Sequence, residues 1–234
     1  KNQNTVAIAS VEDPVEQNLM WVNQGQVNPA HDFTYVTALR SLMRQDPEII
    51  MVGEIRDEET AEIAINAGMT GHLVISTIHS GSTSGTFARL INMNIEPFLL
   101  ASTIMGVLGV RLLRTNCMHC AAPYSPEPYA LEQLLQFEGE EYLQMLIDQQ
   151  GFYKGPGCSA CSSTGFSGRS SINELLVCDE KVREAVMQKR ASREIQELAV
   201  QNGMRTLWES GLQMVVDRKT TLEETLMKVA ADQV

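Results

Sequence analysis

Between residue 5 and about residue 80, short β-rich runs alternate with single helical patterns, and this alternation limits the possible folds more than any other feature of the chain. Thr5 to Ser10, Glu48 to Val52 and His72 to Thr77 read as strands. Between the first two, Asp32 to Gln45 places Phe33, Val36, Leu39, Leu42 and Met43 at helical spacing behind an Asp32 cap, and Asp46-Pro47 stops the helix. Between the second and third, Asp57 to Ala67 is acidic in its first turn and ends near Gly68 and Gly71. Strands joined through single helices call for a parallel sheet with crossover connections, so the expected class is α/β.

Beyond residue 80 the strands are expected to give way to helices, first Ser84 to Asn92 and then Phe98 to Leu113. Asn116 to Gly168 changes character, with two Cys pairs, Pro123, Pro126, Pro128 and the Gly-rich run Gly151 to Gly157, and reads as an inserted small domain. Within it, Tyr129 to Gln149 has a helical pattern interrupted around Gly139. The tail from Asp179 to Val234 reads as mostly helical, with Asp179 as a cap, Gly203 as a stop, and Thr221 with Glu224 at capping-box spacing. The expected partition is therefore 1–114, 115–170 and 171–234.

Eighteen Lys and Arg stand against 29 Asp and Glu, a net charge of −11. That balance argues against sequence-independent binding to nucleic acid, which relies on Lys and Arg neutralising phosphates. The longest stretch without an Asp, Glu, Lys or Arg, Ile63 to Ala88, holds two His, four Gly and many hydroxyls, unlike a spanning helix. Neither a membrane span nor a signal peptide is expected, and the chain reads as cytosolic.

Chemistry gathers where strands end. Glu48-Ile-Ile-Met-Val52 runs into Gly53-Glu54-Ile55-Arg56-Asp57, placing a carboxylate at the carboxyl end of a buried parallel strand, where open α/β sheets bind ligands. In nucleotide hydrolases such an acid helps hold Mg²⁺ or orients the attacking water; a solvated carboxylate at a helix start is the plainer alternative. The first strand leads into Glu12-Asp13-Pro14-Val15-Glu16, which is either a polar loop or a set of acids around a metal-bound triphosphate. His72 and His79 bracket the third strand, seven residues apart, so a turn intervenes or they do different jobs. Arg40 and Arg44 share one helix face, and they and Arg89, Arg111 and Arg114 either pair with the abundant acids or reach phosphate.

Cys117-x-x-Cys120 and Cys158-x-x-Cys161, 37 residues apart, suit a tetrahedral Cys₄ zinc site in which each pair chelates from one tight turn. Such a closed site is structural, pinning an excursion that has little core of its own. Redox-active pairs and metal-free thiols are the alternatives. Cys178 reads as an ordinary buried thiol and His119 as exposed.

Taken together, Ser10 to Glu16 resembles the aspartate box, Asp46 to Thr60 the Walker B segment and Thr70 to Ser80 the histidine box of the secretion-superfamily ATPases, the hexameric motors of type II secretion and type IV pilus assembly. Leu39 to Pro47 resembles the segment preceding Walker B. The Cys pairs with Gly165-Phe-Ser-Gly-Arg169 resemble the zinc subdomain of the assembly and secretion branch, which the retraction branch lacks. The resemblance implies a RecA-like core with an inserted Cys₄ subdomain and a helical carboxyl-terminal region. It implies ATP hydrolysis with Mg²⁺ in a homo-hexamer that sits in the cytoplasm beneath the inner membrane and acts through platform and adaptor proteins. Glu54 would stand at the metal and attacking water, Glu12, Asp13 and Glu16 would line the site, and His72 and His79 would contact or sense phosphate. Arg56 would pair with a box carboxylate, and either Glu54 or Glu12 would serve as base.

One departure stands out. The chain contains no Gly-x-x-x-x-Gly-Lys-Ser/Thr loop, whose amides and Lys cradle phosphates in such motors. In the family that loop lies upstream of the aspartate box, so the expectation is an incomplete core and a carboxyl-terminal fragment that is itself inactive. A non-catalytic, zinc-stabilised interaction or regulatory domain derived from such a motor is the other reading.

Overall fold

The computed structural model describes residues 5–148 and 151–229. The expectations touching Lys1 to Asn4, Gln149 and the last five residues lie outside that range. The described chain divides into two compact units, one formed by residues 1–107 with 177–199 and the other by 108–176 with 200–234. Among the described residues, no helix is long and apolar enough to cross a membrane.

The first unit is α/β, as the alternation requires. Strands β1 (Ile8–Glu12), β2 (Val22–Gln26), β3 (Ile49–Val52) and β4 (Leu73–Ser76) form a parallel sheet in the order β2-β1-β3-β4. Its register aligns Val11 with Val52, and Val52 with Ser76, so the carboxyl ends of the three strands finish level. Helix α1 (Tyr35–Leu42) and helix α2 (Glu58–Met69) supply the crossovers, and Ala38, Leu39, Ile63 and Ala67 pack with Val11, Ile50 and Val52 in one core. Asp57 caps α2, accepting from the Thr60 amide at 2.8 Å. The expected Asp32 cap is not formed: Thr34 caps α1, and Asp32 instead closes a short 3₁₀ turn with φ of +53°. Helices α3 (Gly85–Asn92) and α4 (Pro97–Thr103) follow.

The expected helix from Phe98 to Leu113 is a second correction. Helix α4 stops at Thr103, and strand β5 (Gly106–Asn116) takes over. Gly106 and Gly109 weaken a helix, and Val107, Val110 and the leucines alternate sides as a strand does. β5 pairs with β8 (Phe166–Val177), so strands persist well beyond residue 80.

The second unit also holds the short pair β6 (Ala122–Pro123) and β7 (Tyr153–Lys154), with helices α5 (Pro128–Glu138) and α6 (Glu140–Asp148) between them. Gly139 separates those helices with φ of +83°, as its interruption of the pattern foretells. Helix α7 (Glu180–Met187) is capped by Asp179 and belongs to the first unit, whereas α9 (Leu207–Val216) and α10 (Leu222–Val229) belong to the second; α8 (Ser192–Gln201) precedes them. Leu113, Leu134, Leu146, Trp208, Leu212 and Leu226 make the second core. Half of the Thr221–Glu224 box forms: the Glu224 amide donates to Thr221 at 3.1 Å, but the Glu224 carboxylate turns to Arg114.

Candidate functional site

The level strand ends of the first unit surround a cavity of about 490 Å³. Glu12 lines it from the end of β1, Asp13, Glu16 and Leu19 from the loop that follows, Gly53 and Glu54 from the segment after β3, Thr77 and His79 from the segment after β4, and Tyr35 from the start of α1. Five expected residues thus meet at one place.

The two candidate bases are held very differently. Glu12 is 7% exposed, and its Oε1 accepts from Ser10 Oγ at 2.6 Å and Gln24 Nε2 at 2.9 Å. Burial pushes its carboxyl up, but these two donors and the Glu16 backbone N–H outweigh it and hold the pKa below the ordinary glutamate value. Glu12 is therefore an anchored anion whose Oε1 is already engaged twice. Glu54 faces the cavity, paired closely with Arg56, and His79 Nε2 lies 3.8 Å from its other oxygen. The Arg56 hydrogen bond and charge, opposed by partial burial and helped by His79, keep Glu54 ionised.

Arg56 pairs with Glu54 rather than with a carboxylate of the box, where the sequence had placed it. His79 stands exposed at the cavity mouth. His72 stands at the opposite end of β4, outside the cavity lining, with Nδ1 within 3.0 Å of the Ala67 carbonyl and 3.1 Å of the Thr70 hydroxyl. There it closes the end of α2. Arg40 pairs with Glu59 at 3.0 Å, and Arg114 with Glu224, as the acid-pairing reading requires.

Tyr35 and Gln24 lie outside every motif, and Thr77 lies within the histidine-box segment without a signal of its own. A Cβ on Gly53 would lie 2.9 Å from the Tyr35 hydroxyl, which explains a glycine directly before Glu54, and Thr77 Oγ1 donates to the Gly53 carbonyl at 2.8 Å. Burial and the charges of Glu54 and Asp13 push the Tyr35 phenol up, so it stays protonated at neutral pH.

In the second unit the four cysteines come together, their sulfurs all within 4.8 Å of one another. Cys117–Cys158 and Cys120–Cys161 are 3.9 Å apart and Cys158–Cys161 3.8 Å. A tetrahedron with metal–sulfur bonds of about 2.3 Å has edges of about 3.8 Å, so the cluster fits zinc. The amides of Cys158 and Gly165 point at Cys161 Sγ from 3.2 and 3.3 Å and lower that thiol to about 6, whereas burial pushes Cys120 up to about 12. Gly155 and Gly165 back directly onto each other, leaving no room for a side chain on either. Cys178 is buried apart from the cluster, its thiol raised to about 11, and His119 is exposed.

Among the described residues the cysteines alone gather three or more possible metal ligands that closely. The acids of the cavity do not form a protein-only cage, which suits an ion such as Mg²⁺ that takes one or two carboxylates together with waters and substrate phosphates.

The family model of the type II/IV secretion system proteins matches residues 1–227. Similar proteins include the type IV pilus assembly ATPase PilB of Thermus thermophilus, 45% identical over 94% of this chain and 24% of that protein. Others are the type II secretion system protein HxcR of Pseudomonas aeruginosa, 43% identical over 95% of this chain and 42% of that protein, and the type II secretion system ATPase E of Vibrio cholerae, 39% identical over 96% and 43%. The chain thus spans less than half the length of these curated relatives. The crystal structure of the pilus retraction motor PilT with bound ADP shares the fold, with a TM-score of 0.65 and 22% identity over 97% of this chain and 53% of that one.

Proposed function

The chain belongs to the type II/IV secretion system protein family, and from that premise we propose that it forms the Walker B, aspartate-box and histidine-box side of the nucleotide site of a hexameric ATPase that powers type IV pilus assembly or type II secretion. The observation that carries this reading is the cavity in which acids from the ends of β1 and β3 meet His79 at the end of β4. Residues 1–114 would act as part of a RecA-like core, 115–170 as a zinc-stabilised subdomain and 171–234 as a helical region. The ring would work in the cytoplasm, held at the inner membrane by platform and adaptor proteins.

In this reading Glu54 orients and deprotonates the attacking water. Glu54 and Glu12 both line the cavity, but Glu12 already satisfies three donors and is poorly placed to take a proton. Arg56 keeps Glu54 ionised until substrate arrives, and His79 reports on the phosphate from the rim. Asp13 and Glu16, exposed on the same wall, are the carboxylates left to hold Mg²⁺, which when bound supplies charge neutralisation at the phosphates. Cys117, Cys120, Cys158 and Cys161 hold structural Zn²⁺.

The 234 residues contain no phosphate-binding loop, so the chain by itself binds ATP weakly and does not hydrolyse it. In a protein that includes the loop, Glu54→Gln abolishes turnover and leaves nucleotide binding largely intact. Retained turnover would remove Glu54 from the mechanism, and turnover by the 234-residue chain alone would overturn the incomplete-site reading.

A further inference from the structure

We propose that Gln24, on the edge strand β2, is a positioning residue that builds the acidic wall of the cavity by clamping the loop from Glu12 to Leu19. The parallel register sets Gln24 beside Ser10, with its side chain under the loop. Its Nε2 donates to Glu12 Oε1 at 2.9 Å and to the Gln17 carbonyl at 3.0 Å, and its Oε1 accepts from the Leu19 amide at 2.7 Å. Both amide hydrogens and one acceptor site are thereby used, on partners at the start, middle and end of one loop. The orientation of the amide is fixed by this network, since the flipped form would set an oxygen against a carboxylate and a carbonyl. Gln26, two residues on and at the level of Glu12, adds a weaker tie from the Val15 amide at 3.3 Å.

The loop so held carries Glu12, Asp13, Glu16 and Leu19 into the cavity lining, while Gln24 itself does not line the cavity. The wall that the clamp holds is rich in carboxylates. Glu12, Asp13, Glu16 and Glu54 line the one cavity, and Glu12, Asp13, Glu54 and Arg56 all act on the Tyr35 phenol. Gln24 ties the loop with a neutral side chain, and a glutamate of the same shape could not, because it would lose both donations and add a fifth negative charge to those four.

This inference rests on the proposed nucleotide site, and the test separates the two. In the 234-residue chain with its zinc retained and no Mg²⁺ added, Gln24→Leu and Gln24→Glu are expected to speed hydrogen exchange at the Leu19 amide by about tenfold or more, while the Ile50 amide in β3 keeps its protection. In a protein that carries the complete nucleotide site, both variants should lower kcat by about tenfold and raise half-saturating Mg²⁺ by a similar factor, with metal-free ATP affinity unchanged. A residue that served stability alone would move ATP affinity and Ile50 exchange as well. Unchanged Leu19 exchange overturns the clamp. Faster exchange with unaltered kcat and Mg²⁺ dependence overturns its bearing on the site. Absence of turnover in the wild-type complete protein would sink the functional reading and leave the exchange result to decide the clamp.

Discussion

Removing the metal from the Cys₄ cluster should loosen the second unit and leave the first almost untouched. The cluster closes a loop of 45 residues from Cys117 to Cys161, and that loop carries α5, α6, Leu134, Leu146 and Phe152, much of the second core. Treating the metal as a cross-link, the chain-entropy relation gives about 4 kcal/mol for a loop of this length at 25 °C. Little native strain offsets it, because the sulfurs already stand 3.8 to 3.9 Å apart, the spacing zinc requires. Trp208 reports the second unit: it is buried in that core and meets Phe137 edge-on at 5.3 Å, whereas the other tryptophan, Trp21, is exposed in the first unit.

The assay is urea unfolding followed by Trp208 fluorescence in a Trp21→Phe background, with and without a chelator strong enough to extract the metal, after elemental analysis has shown one zinc per chain. With a slope of about 2 kcal/mol/M, a loss of about 4 kcal/mol lowers the midpoint by about 2 M. Cys158→Ser with Cys161→Ser should reproduce the shift and abolish the effect of the chelator. Verified extraction with a midpoint moved by less than about 0.3 M would refute the loop-closure argument, and protein purified without metal yet equally stable would refute the zinc assignment.

Gly165→Ala should prevent stable metal retention, since Gly165 has φ of +77° and its Cβ would strike the Gly155 carbonyl; zinc content after gel filtration is the measurement, and full occupancy would contradict it. Gly53→Ala should cost about 1–2 kcal/mol by pressing on the Tyr35 hydroxyl at 2.9 Å, and Tyr35→Phe added to it should recover most of that loss in the same unfolding assay. Glu224, 1% exposed, accepts from the Arg114 side chain and from the Arg114 amide at 3.1 Å. Burial pushes its carboxyl up, but Arg114 pulls it further down, so the folded pKa lies below the unfolded one. Its contribution is therefore present at neutral pH and lost as pH falls below about 4.3 through the folded value. Because Arg114 is half exposed, Glu224→Gln should cost about 2 kcal/mol at pH 7 and much less near pH 3; equal losses at both pH values would refute the ionic account.

The parts of this chain legible in sequence are those whose pattern is local. β1 and β3 are short apolar runs because both faces of the central parallel strands are covered, β4 is an apolar run at the sheet edge with Ile75 exposed, and Asp57 and Asp179 announce helix starts by their position alone. β2 has no such signature. Val22-Asn-Gln-Gly-Gln26 holds one large apolar residue, and it is a strand because β1 offers it a backbone ladder and its glutamines have a loop to hold. β5 was read as a helix since its leucines and valines fit either period over so short a stretch, and β8 begins with Phe166-Ser-Gly-Arg-Ser-Ser, which fits neither.

The site divides along the same line. Paired cysteines must share a centre to be useful, so their spacing already indicates the cluster. His72 and His79 flank one strand, yet seven residues of extended chain reach about 23 Å, too far for both to face one small cavity. Glu12 and Glu54 look alike in sequence, each an acid at the end of a buried strand. Their partners differ: Glu12 Oε1 accepts from Ser10 on its own strand and from Gln24 on β2, whereas Glu54 is paired with Arg56 two residues on and has His79 3.8 Å away. The donor that the pattern of β1 does not announce is Gln24, which reaches Glu12 from the neighbouring strand β2, a strand that carries no motif.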